Sequence, residues 1–118
     1  MALKLSSRQQ AQHAYLQTIP AKFDRIHRVI ESMGAQQADD VMVRGLGRVL
    51  DEMKANCQAL GLTGLVETCG LMGTISRRGG GVQMKVRGLR ELLGSLKINY
   101  DAALKAATTP EPAASVDH

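Results

Sequence analysis

Apolar residues recur at intervals of three and four along most of the chain, the repeat of one buried stripe per helix, with Gly and Pro as punctuation. From about Ser7 to Met33 the stripe is Tyr15, Leu16, Ile19, Phe23, Ile26, Val29 and Ile30. Pro20 falls inside it and removes a backbone donor, so a short leading helix should give way to a second one starting near Pro20. Gly34 is placed to end that second helix as a C-terminal cap.

A further helix is expected from Gln37 or Ala38 to Leu60, its start favoured by Asp39 and Asp40. Leu46, Val49, Leu50, Met53, Cys57 and Leu60 form its inner stripe. Arg44, Arg48, Asp51 and Ala55 follow each other at steps of four, three and four, which places them on the opposite, solvent face. Gly61 closes this helix and Thr63 can cap the next, which carries Leu65, Val66, Cys69, Met72 and Ile75 and stops at Gly79-Gly80-Gly81. The last helix runs from Val82 to about Ala107 with Val82, Val86, Leu89, Leu93, Leu96, Tyr100 and Leu104 inward. Short connections between amphipathic helices predict an all-α, up-and-down antiparallel four-helix bundle with a short extra N-terminal helix. It occupies residues 1–107, and residues 108–118, without apolar periodicity, form a tail expected to be disordered. Gly45, Gly47, Gly64, Gly70, Gly73, Gly88 and Gly94 interrupt this pattern, each costing about 1 kcal/mol against Ala. They fit where another helix, or a partner, approaches closely.

Composition narrows the function classes. The 118 residues include no Trp, one Phe and two Tyr, too few rings for a base-stacking or sugar-binding platform. Three His and two Cys show no metal-ligand spacing, so no metal or cofactor is expected. No apolar run spans a membrane, and the opening MALKLSSRQQ lacks the apolar stretch of a secretory signal, so the expected location is cytoplasmic. There Cys57 and Cys69 are expected to be reduced and buried. The net charge of +4, from 15 Lys and Arg against 11 Asp and Glu, is dispersed and suits an acidic protein partner as well as a phosphate backbone. Without a concentrated basic stripe, no nucleic acid is expected to bind.

The run Asp51-Glu52-Met53-Lys54-Ala55, followed by Leu60-Gly61, resembles the signature helix of histidine-phosphotransfer (HPt) domains, the four-helix bundles of bacterial phosphorelays. That family reads His-x-Leu-Lys-Gly with a later Leu-Gly. Met53 stands at the Leu, Lys54 at the Lys and Ala55 at the Gly. The similarity continues through Leu65, Cys69, Met72 and Ile75 to Gly79, and upstream through Tyr15-Leu16, Ile19-Pro20, Phe23, Ile26 and Ile30. It covers roughly Tyr15 to Ala107.

Asp51 stands where the family has its phospho-accepting His. A neutral imidazole nitrogen can attack an aspartyl phosphate, whereas a carboxylate ionised at neutral pH repels the incoming phosphoryl group. The resemblance therefore implies a pseudo-phosphotransferase that keeps a dock and has no catalytic residue. Its partner-binding residues are Arg44, Arg48, Asp51, Glu52, Lys54, Ala55 and Gln58, and its implied partner is a response-regulator receiver domain or a histidine kinase. Arg48 and Lys54 would form a positive rim against an acidic receiver pocket, and small Ala55 would admit the partner. The protein itself should be a monomer or weak dimer. Read without the resemblance, Asp51 is an exposed acid pairing with Arg48 or Lys54 on its own helix.

Two other classes compete. One is an active phosphotransfer protein with a displaced acceptor such as His27; the ordinary role of His27 is a solvated side chain paired with Asp24 or Glu31. The other is a helical interaction module unrelated to phosphorelays. Arg78-Gly79-Gly80-Gly81-Val82 lacks the Lys-Ser/Thr ending of a phosphate loop and reads as a hinge, beside which Arg77 and Arg78 can bind an anion weakly.

Overall fold

The computed structural model describes residues 4–111. Every regular element among them is a helix: α1 (Ser7–Leu16), α2 (Ile19–Gly34), α3 (Asp40–Ala59), α4 (Thr63–Arg77) and α5 (Val82–Thr108). Of the tail expected to be disordered, residues 112–118 lie outside the described residues, while α5 extends to Thr108. No described helix is long and apolar enough to cross a membrane.

Local chemistry explains where the helices begin and end. Ser6 caps α1 in a reciprocal box: its hydroxyl accepts from the Gln9 amide at 3.0 Å, and the Gln9 side chain accepts from the Ser6 amide at 2.9 Å. Pro20 sits in the first turn of α2, where its missing N–H is not needed. Asp39 caps α3 by accepting from the Met42 amide at 2.8 Å. At the end of α3, Gly61 takes a left-handed φ of 72°. Its amide donates to the Gln58 carbonyl and that of Leu62 to the Cys57 carbonyl, a Schellman turn.

Three expectations need correction. Gly34 does not cap α2; the left-handed residue is Gln36, with a φ of 59°, and Gln37 donates to the Ser32 carbonyl. Gly34 stays helical because α5 crosses it closely: a Cβ there would lie 3.1 Å from Arg90 Nη2 and 3.5 Å from Val86 Cγ1. Thr63 does not cap α4, since buried Leu62, leaving the Gly61 turn, already occupies the N-cap position. Val82 is not inward; as the first residue of α5 it remains 44% exposed.

The core is aliphatic. Leu16, Ile26, Leu50, Met53, Met72 and Leu89 are fully enclosed, and Phe23 meets Tyr100 edge to face at 5.4 Å. α2 packs on α3 and α5, and α4 packs on α3 and α5, while α1 lies against α5 and α2. Glycines set some of these approaches. A Cβ on Gly88 would press on Ile75 at 3.3 Å, and one on Gly64 would meet Asn99 at 3.2 Å. Asn99 also accepts from the Thr68 hydroxyl at 2.6 Å, a polar pin between α4 and α5. Gly45 and Gly94 face open space, and nothing in the structure explains either.

α1 serves the ends of two other helices. Buried Gln9 donates to the carbonyls of Ala106 at 3.0 Å and Thr109 at 2.7 Å, and Gln12 donates to that of Leu60 at 2.8 Å. These satisfy carbonyls that a helix C-terminus leaves without an intrahelical partner. Arg8 lies across Gly61 so closely that any side chain there would run into its guanidinium.

Candidate functional site

The inner stripe of α3 is Leu46, Val49, Leu50, Met53 and Cys57, all buried, and this fixes which side of the helix faces out. Arg44, Arg48, Asp51, Glu52, Lys54, Ala55 and Gln58 are all exposed on that outward side. Arg44, Arg48, Asp51, Ala55 and Gln58 follow one line along the helix, flanked by Glu52 and Lys54.

The partner of Asp51 is neither Arg48 nor Lys54. Its carboxylate accepts from Nη2 of Arg77, at the end of α4, in a pair linking the two helices. The same Nη2 lies 3.4 Å from the Gly47 carbonyl. Two glycines make room for this guanidinium. A Cβ on Gly47 would sit 3.4 Å from Nη2, and one on Gly73 would sit 3.1 Å from Nη1. The Arg77 bond holds the Asp51 carboxyl below its usual range, with Lys54 a lesser influence, and Asp51 in turn raises Arg77. Asp51 is thus an ionised carboxylate engaged by the Arg77 guanidinium.

Further along the same α3–α4 seam, the Lys54 side chain lies against Gly70, whose Cβ would stand 3.6 Å from Nζ. With Val66, Glu67, Leu71 and Thr74 these residues border an open groove of about 560 Å³. Leu71 is 57% exposed, an apolar side chain next to the charged line. Toward the start of α3, Arg44 and Arg48 share a second cleft with Arg77. Gly47, Gly73 and Leu71 were not among the expected site residues, and Arg77 was expected only as a weak anion binder beside the Gly79-Gly80-Gly81 hinge. Arg77 lies 26 positions from Asp51, beyond any within-helix spacing rule, and the available signal was the set of helical glycines on α3 and α4.

The remaining candidates stay apart from this face. His27 is exposed on α2 and its side chain makes no hydrogen bond among the described residues. Its expected partner Glu31 is held by Arg90 of α5, through Nε at 2.9 Å and Nη2 at 3.1 Å. Cys57 and Cys69 are free and buried, and burial pushes their thiols up to about 11 and about 12. Burial likewise raises the Tyr15 phenol to about 12; its hydroxyl is shielded beside Asn56 and Cys57 without a bonded partner among the described residues. All three groups stay protonated at neutral pH. Among the described residues, no group of three His, Cys, Asp or Glu is placed to hold a metal ion.

Comparison of the chain with protein-family models, curated proteins and solved structures gives no match.

Proposed function

We propose that this chain is a catalytically silent, HPt-like protein that binds a response-regulator receiver domain or a histidine kinase and modulates phosphorelay signalling. The observation that carries the reading is the exposed line Arg44, Arg48, Asp51, Ala55 and Gln58 on α3, with a guanidinium-bound carboxylate where the family has its nucleophile. The reading includes an up-and-down antiparallel four-helix bundle. It is supported by the packing of α2 on α3, α3 on α4, α4 on α5 and α5 on α2. Cross-helix pairs of reversed order, such as Phe23 with Tyr100 and Glu31 with Arg90, point the same way.

Mechanistically, the dock places a flat, methyl-sized surface at Ala55 between charged residues of both signs. A receiver presents acidic residues around its phosphorylation site, so Arg48 and Lys54 would meet opposite charge while Leu71 supplies an adjacent apolar contact. By occupying that surface without accepting the phosphoryl group, the protein would hold a receiver or kinase away from productive partners.

The test is a binding series against purified receiver domains and histidine kinases of the source organism, with and without phosphorylation. The native chain is expected to bind at least one and acquire no acid-labile phosphoryl label. Ala55→Trp is expected to weaken that binding at least about tenfold by blocking close approach, with the helical spectrum unchanged because position 55 faces solvent. Label on His27, or unchanged binding by Ala55→Trp, defeats the reading.

A further inference from the structure

Three arginines line one cleft where α3 meets the end of α4. Its volume is about 590 Å³ and its lining is Val43, Arg44, Gly47, Arg48, Ser76 and Arg77. Asp51 engages only Nη2 of Arg77, and that nitrogen also faces the Gly47 carbonyl. Nε and Nη1 of Arg77, and the whole head groups of Arg44 and Arg48, have no hydrogen-bond or ion-pair partner among the described residues. Asp51 is thus the one carboxylate bonded to any of the three arginines; Asp40 and Glu52, a helical turn from Arg44 and Arg48, form no ion pair with them among the described residues, so cations outnumber acids in the cleft's lining.

Gathering like charges raises the energy of the free protein, and an anion entering the cleft lowers it. Guanidinium groups present planar forks of donors that match the oxygens of an oxyanion. Arg77 is also held in orientation, by Asp51 on one edge and by the shallow seat over Gly47 and Gly73, so less freedom is lost when its other edge binds. Ser76 does not compete for the ligand, because its hydroxyl already donates to the Gly73 carbonyl at 2.8 Å. The carbonyl end of α4 lies beside the cleft and opposes an anion, so the arginine side chains must carry the affinity.

We infer that this cleft binds a doubly charged tetrahedral oxyanion, a phosphoryl group, gripped by Arg44, Arg48 and the free edge of Arg77. A phosphate monoester carries close to two negative charges at neutral pH and three acceptor oxygens, one for each arginine. A carboxylate can occupy one fork but leaves the remaining charge unanswered. The inference requires only this chain and the ion; the cleft shares Arg44 and Arg48 with the receiver dock but does not rest on that reading.

The experiment is an amide NMR titration of the full chain with inorganic phosphate at neutral pH and constant ionic strength. Sodium chloride and phenyl phosphate are run in parallel. Saturable shifts are expected at Gly47, Arg48 and Arg77 with phosphate and none with chloride. Arg48→Gln should weaken binding about tenfold, and Arg44→Gln with Arg48→Gln should abolish saturation; both positions are exposed, so the fold is retained. Matching affinity for phenyl phosphate assigns the cleft to a phosphoryl group carried on a larger molecule, and binding of inorganic phosphate alone assigns it to the free ion. Shifts that merely drift as they do with chloride, or an affinity untouched by the double variant, overturn the inference. Ala55→Trp, outside the cleft, should bind phosphate normally, so failure of the dock and failure of the cleft are separable.

Discussion

The regions around Gly61 and Arg77 are built on opposite terms. Around Gly61, the helix-end carbonyls are matched: Gln9 and Gln12 bond the terminal carbonyls of α5 and α3, and the turn uses the residue type its backbone favours. Around Arg77, three arginines line a cleft with one bonded carboxylate, and at the α2–α3 turn, a separate place, Gln36 holds a left-handed conformation usually given to Gly. The first region has little left to offer a partner. The second keeps charge that stability alone does not call for, which is where binding is expected.

The largest effect should come from Gly61→Gln. It places a side chain at positive φ, and a loss of about 1–2 kcal/mol in urea unfolding is expected, while the exposed Arg8 tip can swing aside. An unchanged midpoint would mean that the matched region is no more constrained than the other. Next, Gln36→Gly relieves the same backbone conformation and should raise stability by about 0.5–1 kcal/mol, a change of opposite sign. A loss there would show that Gln36 itself makes a contact that matters.

The smallest effect belongs to Asp51→Asn. The Arg77 bond lowers the folded-state carboxyl below its ordinary value of 3.8, so the pair stabilises the fold above that pH. This contribution is lost as pH falls through the lower folded-state value. Both partners are more than half exposed, so only a few tenths of a kcal/mol is expected. The native chain and the variant should differ slightly at neutral pH and converge in acid, as followed by denaturant midpoints across pH. A difference that persists in acid would mean that Asp51 acts through packing instead of charge.

Much of the fold was legible because helical periodicity is a local property. The stripe Leu46, Leu50, Met53 and Cys57 both names the buried side of α3 and, by exclusion, exposes Arg44, Arg48, Asp51 and Ala55. Gly61 was legible for a similar reason, since its conformation follows from the residue itself. Gln36 was not, because a favourable crossing of α5 over Gly34 moved the left-handed turn two residues on, onto a residue that tolerates it poorly. Val82 misled because periodicity says which side a residue takes but not whether a neighbour reaches that far along the helix. The Asp51–Arg77 pair was hidden since it depends on how two helices are laid against each other. Helical glycines hinted at close approach without saying that an arginine would fill it.

The buried, fully protonated thiols of Cys57 and Cys69 have a practical consequence. Thiol-directed dyes react with accessible thiolates, and neither native cysteine supplies one. A single cysteine introduced at exposed Gln58 should therefore take a fluorophore selectively in the otherwise native chain. The core's choice of small sulfur-bearing residues thus leaves the outer side of α3 open to site-specific optical labelling.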